Sequence, residues 1–139
     1  MNNAKALLLN NLQNTFCRLM PSRISGVGVF AIRDIAKGFN PFILITDEKW
    51  LKFNIDELKG LDEEVLKMVD NFFVVEENGL VWIPKFGLNG MNLSFFMNNS
   101  ADANMYSPDD GPTFVALRDI KKGEELTLSY ANYDWKYKQ

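Results

Sequence analysis

The apolar residues of this chain occur mostly in short runs, and residues that break regular structure separate the runs. Between Thr15 and Phe30, the strand-forming residues are interrupted by Pro21, Gly26 and Gly28. This interruption predicts short strands joined by a tight turn. Further short strands are predicted over Phe39–Ile45, Thr113–Arg118 and Glu125–Tyr130. Such a pattern favours one domain built from many short strands.

The middle of the chain differs, because its apolar residues recur every three or four positions. This helical spacing is shared by Ile55, Leu58, Leu61, Val65, Leu66, Val69 and Phe72. It predicts a short helix over Ile55–Lys59 and a longer helix over Asp62–Asn71. A further short helix is predicted near the start of the chain, over Lys5–Leu12.

A hairpin is predicted after the second central helix. Asn78-Gly79 lies between the apolar segments Phe73–Val75 and Leu80–Ile83, and Asn-Gly between apolar runs is a strong hairpin signal. The segment that follows, Pro84–Met105, has little periodicity and many Asn and Gly residues. So long an irregular segment in a packed domain is typical of a functional region. The predicted fold class is therefore mainly β with a helical insert (α+β), in a single domain over residues 1–139.

The chain contains no histidine and a single cysteine, Cys17. An intramolecular disulfide and a zinc site built from Cys and His ligands are therefore excluded. Catalysis by Ser-His-Asp or by Cys-His is excluded as well, because both need an imidazole base. We expect no metal ion, and we interpret Cys17 as a small buried apolar residue.

The charge of the chain is small, with 15 Lys and Arg against 18 Asp and Glu and a formal net charge of −3. Nucleic-acid binding depends on clustered Lys and Arg, so no direct nucleic-acid partner is expected. No apolar run reaches the roughly 18 residues that span a bilayer, and the first residues make a poor signal peptide. We expect an intracellular protein, cytoplasmic or nuclear, that is a monomer or a homodimer.

Three separated segments carry motifs. The first is Ser25-Gly-Val-Gly-Val-Phe-Ala31, followed by the turn Ile35-x-Lys37-Gly38; the second is Phe96–Asn104; the third is Arg118–Tyr130. In this order and spacing they resemble the SET-domain family of protein-lysine methyltransferases, in a minimal form without cysteine-rich zinc flanks. Each motif alone is modest, and the combination across nearly the whole chain makes the resemblance specific.

The resemblance implies a fold and a function. The implied fold is the β-clip, in which short twisted sheets surround a pseudoknot, with residues 46–90 as a variable insert and 131–139 as an aromatic tail. The implied activity is transfer of methyl groups from S-adenosylmethionine to the side-chain amine of lysine in a protein or peptide substrate, with histones among the candidates. An apolar channel beside a positive sulfonium would lower the lysine pKa from about 10.4, so no histidine base is required.

The resemblance also implies site residues. Tyr130 matches the family's catalytic tyrosine, and Leu128 and Tyr133 are expected to line the substrate channel. The cofactor is expected to contact Ser25, Gly26, Val27, Gly28, Asn98, Asn99 and Trp135. Glycine permits close backbone approach in the hairpin. Leu128 has no hydroxyl, which favours multiple methylation over a single transfer.

The second motif departs from the family pattern. Asn99 stands where the family usually has His, Ala101 replaces Cys and Ala103 replaces Pro, and the Arg that usually precedes the motif is missing. These departures leave open a catalytically weak or inactive SET-fold module that binds a peptide or the cofactor without turnover. A β-clip domain of another family is a third alternative.

Overall fold

The computed structural model describes residues 2–43, 49–108 and 113–132. The helices and strands, in chain order, are α1 (Asn3–Gln13), β1 (Cys17–Pro21), β2 (Val27–Ala31), β3 (Trp50–Asn54), α2 (Glu63–Phe72), β4 (Leu80–Pro84), β5 (Asn98–Asn99), β6 (Met105–Tyr106), β7 (Val115–Ala116) and β8 (Glu125–Leu128). Short 3-10 helices lie at Ile55–Leu58, Leu93–Phe96 and Tyr130–Asn132.

The chain divides into two compact units. The first unit comprises Met1–Thr46 and Phe96–Ser129, and the second comprises Asp47–Phe95 and Tyr130–Gln139. Neither unit is continuous in sequence, because the chain leaves the first unit after β2, forms most of the second, and returns at β5.

The first unit contains a four-stranded sheet in the order β1-β2-β8-β5. The strands β1 and β2 form an antiparallel hairpin, and β2 pairs antiparallel with β8. On its other edge, β8 pairs in parallel with β5. The shared strand β8 therefore brings the hairpin and β5 to the same part of the sheet, although about seventy residues separate them in sequence.

The core of the first unit is aliphatic and sulfur-containing. Its most deeply buried side chains include Val29, Ile35, Met97, Met105, Ile120 and Leu126. Each such side chain contributes about 1.5–3 kcal/mol when fully buried. Ile35 and Ile120 also pair through an isolated β-bridge that joins two turns, and β6 pairs with β7 beside them.

The second unit packs α2 and the β3–β4 ribbon around a core of Leu58, Val69, Phe73 and Val81. Asp62 caps α2, because its carboxylate accepts a hydrogen bond from the Glu64 amide at 2.8 Å. Phe73 and Phe95 pack edge to face with ring centroids 5.9 Å apart. Ser94 and Phe95 stand before the second motif, where the resemblance expects an arginine, and Phe95 packs against this core.

The predicted fold class is confirmed, and so are the two central helices, the first of which is a 3-10 helix. Two strand predictions are wrong. Phe39–Ile43 contains no strand, and residues 44–45 of that prediction lie outside the described residues. The second is the strand predicted over Phe73–Val75 as the partner of β4. Instead, β4 pairs with β3 along its full length. Because α2 extends to Phe72, only Val75 forms an isolated bridge to Val81.

Two further elements are shorter than predicted. The strand predicted over Thr113–Arg118 forms only at Val115–Ala116, and the last strand ends at Leu128, before Tyr130. Cys17 is buried, as predicted. Among the helices that the structure describes, none is both long and apolar enough to cross a bilayer.

Candidate functional site

The turn between β1 and β2 is built around the hydroxyl of Ser22. The Ser22 amide donates to the Gly26 carbonyl at 2.8 Å, which closes the turn. The Ile24 amide donates to the Ser22 Oγ at 2.9 Å. Gly26 has a φ of +48°, in the left-handed region that glycine adopts without steric cost. The turn leaves Ser25, Gly26 and Val27 exposed to solvent.

The side chain of Asn98 joins this turn from the neighbouring strand. Its Nδ2 lies 3.0 Å from the Ser22 Oγ and 3.1 Å from the carbonyl oxygens of both Ser25 and Val27. The same nitrogen lies 2.9 Å from Oε2 of Glu125. Four oxygen acceptors therefore surround one amide nitrogen. This environment fixes the orientation of the amide, since the two carbonyls and the carboxylate can only accept and would repel the Asn98 oxygen in that position.

Glu125 completes the cluster from the first residue of β8. Ser22 Oγ lies 2.8 Å and 2.9 Å from the two carboxylate oxygens of Glu125, and its proton is donated to that carboxylate. A hydrogen bond to a charged acceptor is roughly twice as strong as a neutral one. We define the hairpin cluster as Ser22, the turn Ser25–Val27, Asn98 and Glu125.

The position of the Glu125 side chain explains why the second glycine of the hairpin, Gly28, is needed. A Cβ built on Gly28 would lie 2.3 Å from Oε2 of Glu125, which is far inside van der Waals contact. At Gly26, a Cβ would meet no heavy atom of the described residues within 4 Å. The missing side chain at Gly28 therefore accommodates Glu125, whereas the bare face of Gly26 is open to a ligand.

The structure brings the hairpin residues Ser25, Gly26, Val27 and Gly28 together with Asn98. The resemblance assigns all of them to the cofactor, and that role stays a prediction. The sequence interpretation missed Ser22 and Glu125. The half-buried position of Glu125 beside Gly28 depends on strand register. The signal in the sequence was the glutamate within the third motif. Its contact with the hairpin can be inferred only once β8 is known to pair with β2.

Two other predicted site residues lie on the same sheet. Asn99 pairs in register with Leu128 and is exposed on β5. Leu128 is 3% exposed, so its side chain is part of the interior of the first unit. Its backbone carbonyl accepts a hydrogen bond from the Ser100 amide at 2.8 Å.

The remaining predicted residues belong to the end of the chain. Tyr130 begins the 3-10 helix Tyr130–Asn132 and is half-buried. It is assigned to the second unit. Tyr133 and Trp135 lie outside the described residues.

Cys17 has the properties of a structural thiol. It lies on β1 opposite Ala31 and is 3% exposed. Burial raises the pKa of its thiol from 9.0 to about 12, because the interior disfavours the thiolate. A thiol with so high a pKa is a poor nucleophile at neutral pH. Within the described ranges, no group of acidic and cysteine side chains is arranged to bind a metal ion.

This geometry defines a small β-rich protein with an exposed glycine hairpin braced by an asparagine and a glutamate. The fold is SET-like, and a family model of the SET domain matches residues 26–131. The chain belongs to the SET-domain family. The resemblance of the three sequence motifs is thereby confirmed, and family membership supports a protein of the methyltransferase kind.

Solved structures share this fold. A candidate histone methyltransferase from Plasmodium falciparum is 17% identical, with a TM-score of 0.55 over 87% of this chain and 97% of that one. The autoinhibited Polycomb Repressive Complex 2 of Chaetomium thermophilum, bound to S-adenosylmethionine, is 26% identical with a TM-score of 0.56. The match covers 89% of this chain and 16% of that one, so our chain corresponds to a small part of it.

A humanized mutant of the same complex, bound to the inhibitor GSK126, is 24% identical with a TM-score of 0.53. That match covers 85% of this chain and 15% of the other. No curated protein sequence is significantly similar to this chain.

Proposed function

We propose that this protein transfers methyl groups from S-adenosylmethionine to the side-chain amine of lysine in a protein substrate, with histones among the candidates. The observation that carries the proposal is the hairpin cluster, in which Asn98 and the exposed Gly26 turn meet in a SET-family chain. The complex from Chaetomium thermophilum that shares the fold was solved with this cofactor.

The exposed backbone of Ser25, Gly26 and Val27 would hold the methionine end of the cofactor. The open face of Gly26 lets a ligand approach the main chain closely. Asn98 would offer its amide oxygen to an ammonium group, because its nitrogen is already bonded within the cluster. Asn99 and Trp135 are assigned to the cofactor from their positions in the motifs. The bound cofactor supplies an electrophilic methyl group on a positive sulfonium.

The residues assigned to the substrate have a different task. A lysine amine attacks only when it is neutral, and desolvation in an apolar channel lowers its pKa. Leu128 and Tyr133 are assigned to this channel, and Leu128 offers no hydroxyl that would limit repeated methylation. The Tyr130 phenol is assigned to orient the amine, which gives the in-line geometry that displacement requires.

A second candidate is a weakly active or inactive SET-fold module that binds a peptide or the cofactor. The observation that favours it is the altered second motif, in which Asn99 is exposed and Ala103 is buried. An asparagine at position 99 makes other side-chain hydrogen bonds than the usual histidine, which would lower cofactor affinity.

The test is incubation of the protein with labelled S-adenosylmethionine and a mixed pool of histones and lysate proteins, followed by mass spectrometry. We expect label on lysine side chains, and the number of methyl groups reports the effect of Leu128. Tyr130→Phe should lower the rate by at least tenfold, whereas Tyr106→Phe should leave it unchanged, because Tyr106 is an exposed residue on β6.

Calorimetry with S-adenosylmethionine separates the two candidates. Binding together with labelled lysine supports the enzyme, and binding without label supports the inactive module. If neither binding nor label were detected, the cofactor assignment itself would be wrong. If Tyr130→Phe kept the wild-type rate, the phenol would have no catalytic role.

A further inference from the structure

The hydroxyl of Ser22 has a complete set of hydrogen bonds, and its proton goes to Glu125. A serine hydroxyl has one proton and two lone pairs. The lone pairs face the Ile24 amide at 2.9 Å and the Asn98 Nδ2 at 3.0 Å, and the Ser25 amide makes a longer contact at 3.4 Å. The proton is donated to the Glu125 carboxylate. Removing the carboxylate would therefore leave the hydroxyl that organises the turn without an acceptor.

Glu125 also bonds to the residue assigned to the cofactor's ammonium group. Its Oε2 accepts from the Asn98 Nδ2 at 2.9 Å. One carboxylate thus connects the turn and the amide of Asn98, and it lies in the space that Gly28 leaves open. No residue of the described chain forms an ion pair with Glu125, so Ser22 and Asn98 are its bracing partners.

We infer that Glu125 is a positioning residue of the cofactor site. It acts through Ser22 and Asn98, and it holds the exposed turn Ser25–Val27 in one conformation before the cofactor binds. A preordered turn avoids the ordering cost that a mobile one would incur on binding. This inference rests on the proposed cofactor function, and it assigns a role to a residue that does not contact the cofactor.

The test compares Glu125→Gln with Glu124→Gln. Both changes remove one negative charge from neighbouring residues, but Glu124 is exposed and its carboxylate accepts from the Lys121 amide in its own turn. Cofactor affinity is measured by calorimetry with S-adenosylmethionine and S-adenosylhomocysteine. We expect Glu125→Gln to weaken binding about tenfold, the loss of roughly one charge-assisted hydrogen bond, and Glu124→Gln to stay within about twofold.

A kinetic measurement distinguishes positioning from general loss of folding. With Glu125→Gln, the KM for the cofactor should rise about tenfold while kcat at saturating cofactor stays within about twofold. Ser22→Ala should weaken binding similarly, and Ser22→Thr, which keeps a hydroxyl, should restore it. Hydrogen exchange of the Ile24 amide should accelerate in Glu125→Gln, whether or not cofactor is present.

The outcomes separate this inference from the proposed function. If the wild type binds the cofactor and Glu125→Gln binds it equally well, the positioning role is wrong while the function stands. If the wild type binds no cofactor, the proposed function fails and the inference fails with it. Unchanged exchange of the Ile24 amide in Glu125→Gln would also overturn the positioning role.

Discussion

The two glycines of the hairpin, Gly26 and Gly28, are required for different physical reasons. Gly26 has a left-handed φ of +48° and open space around the position of a Cβ. Gly28 lacks that backbone requirement, and its Cβ would instead overlap the Glu125 carboxylate and lie 3.1 Å from the Cβ of Ser22. The first is a conformational constraint and the second is a packing constraint.

Substitution by alanine should separate the two constraints. Gly26→Ala should cost about 1–2 kcal/mol of unfolding free energy, the price of a left-handed alanine. Gly28→Ala should cost about 2–4 kcal/mol, because the carboxylate must move and lose its bonds to Ser22 and Asn98. Urea denaturation measures both. In a Glu125→Ala background, the cost of Gly28→Ala should shrink by at least half, and additive costs would contradict the explanation.

Cys17 should make the stability of the fold depend on alkaline pH. Burial raises the pKa of its thiol from 9.0 to about 12 in the folded state. Between these values the unfolded chain releases the thiol proton while the folded chain keeps it, so stability falls as pH rises. Below pH 9 the contribution is fully present. The loss approaches about 1.4 kcal/mol for each pH unit above 9.

The variant Cys17→Ala isolates this effect from other groups that titrate at high pH. Urea unfolding of both proteins between about pH 7.5 and 10.5 should show that the stability advantage of the wild type narrows as pH rises. A constant difference across this range would mean that the thiolate is not excluded from the folded state.

Among the elements, β8 has one edge where the side chain of Asn104, and not a neighbouring strand, bonds to its backbone. Its Nδ2 donates to the Glu125 carbonyl and its Oδ1 accepts from the Thr127 amide, each at 2.8 Å. Its own carbonyl accepts from the Leu117 amide at 2.8 Å. Asn104 is 3% exposed, so these bonds continue the pairing of β8 inside the first unit.

Asn104→Ala should therefore destabilise β8. The change leaves the buried Thr127 amide and the half-buried Glu125 carbonyl of that strand without the Asn104 partner, at a cost of about 2–4 kcal/mol. Asn71→Ala is the matched control, because Asn71 is exposed on α2, and it should change stability by less than about 0.5 kcal/mol. Thermal and urea unfolding measure both variants. Equal effects would show that the bonds of Asn104 contribute little.

Local patterns predicted some elements well and failed for others. The spacing of Val65, Val69 and Phe72 marks α2, because one face of a helix contacts a core and the period is visible in a single segment. The hairpin around Ser22 follows from Pro21 and two glycines. The strand β3 was not predicted. Its pairing with β4 depends on where α2 ends, because a helix that extends to Phe72 leaves too few residues before β4 for another strand of full length.

The site was predictable only where motifs carry it. Asn98 and Ser25–Gly28 were assigned from the resemblance, and the sheet brings them together. Glu125 is 103 positions from Ser22, and no local pattern reveals a contact over that separation. Such contacts depend on the register of β8 between β2 and β5, in which a slip of one residue would turn Glu125 to the other face.

At the scale of the whole molecule, the proposed roles are distributed over two units. The hairpin cluster belongs to the first unit, and Tyr130 is assigned to the second. Trp50 and Trp82 also belong to the second unit. Their fluorescence therefore reports unfolding of the second unit, while hydrogen exchange of β1, β2 and β8 reports unfolding of the first.

Cofactor binding should stabilise the first unit if the proposal is correct. S-adenosylmethionine at one hundred times its Kd adds about 2.7 kcal/mol to any unfolding step that destroys the site. Because the hairpin cluster lies in the first unit, we expect the unfolding free energy of that unit, measured by hydrogen exchange, to rise by this amount. In Glu125→Gln at the same cofactor concentration, a tenfold weaker Kd would reduce this rise by about 1.4 kcal/mol. Unchanged exchange of the wild type at this cofactor concentration would mean that the hairpin cluster does not bind the cofactor.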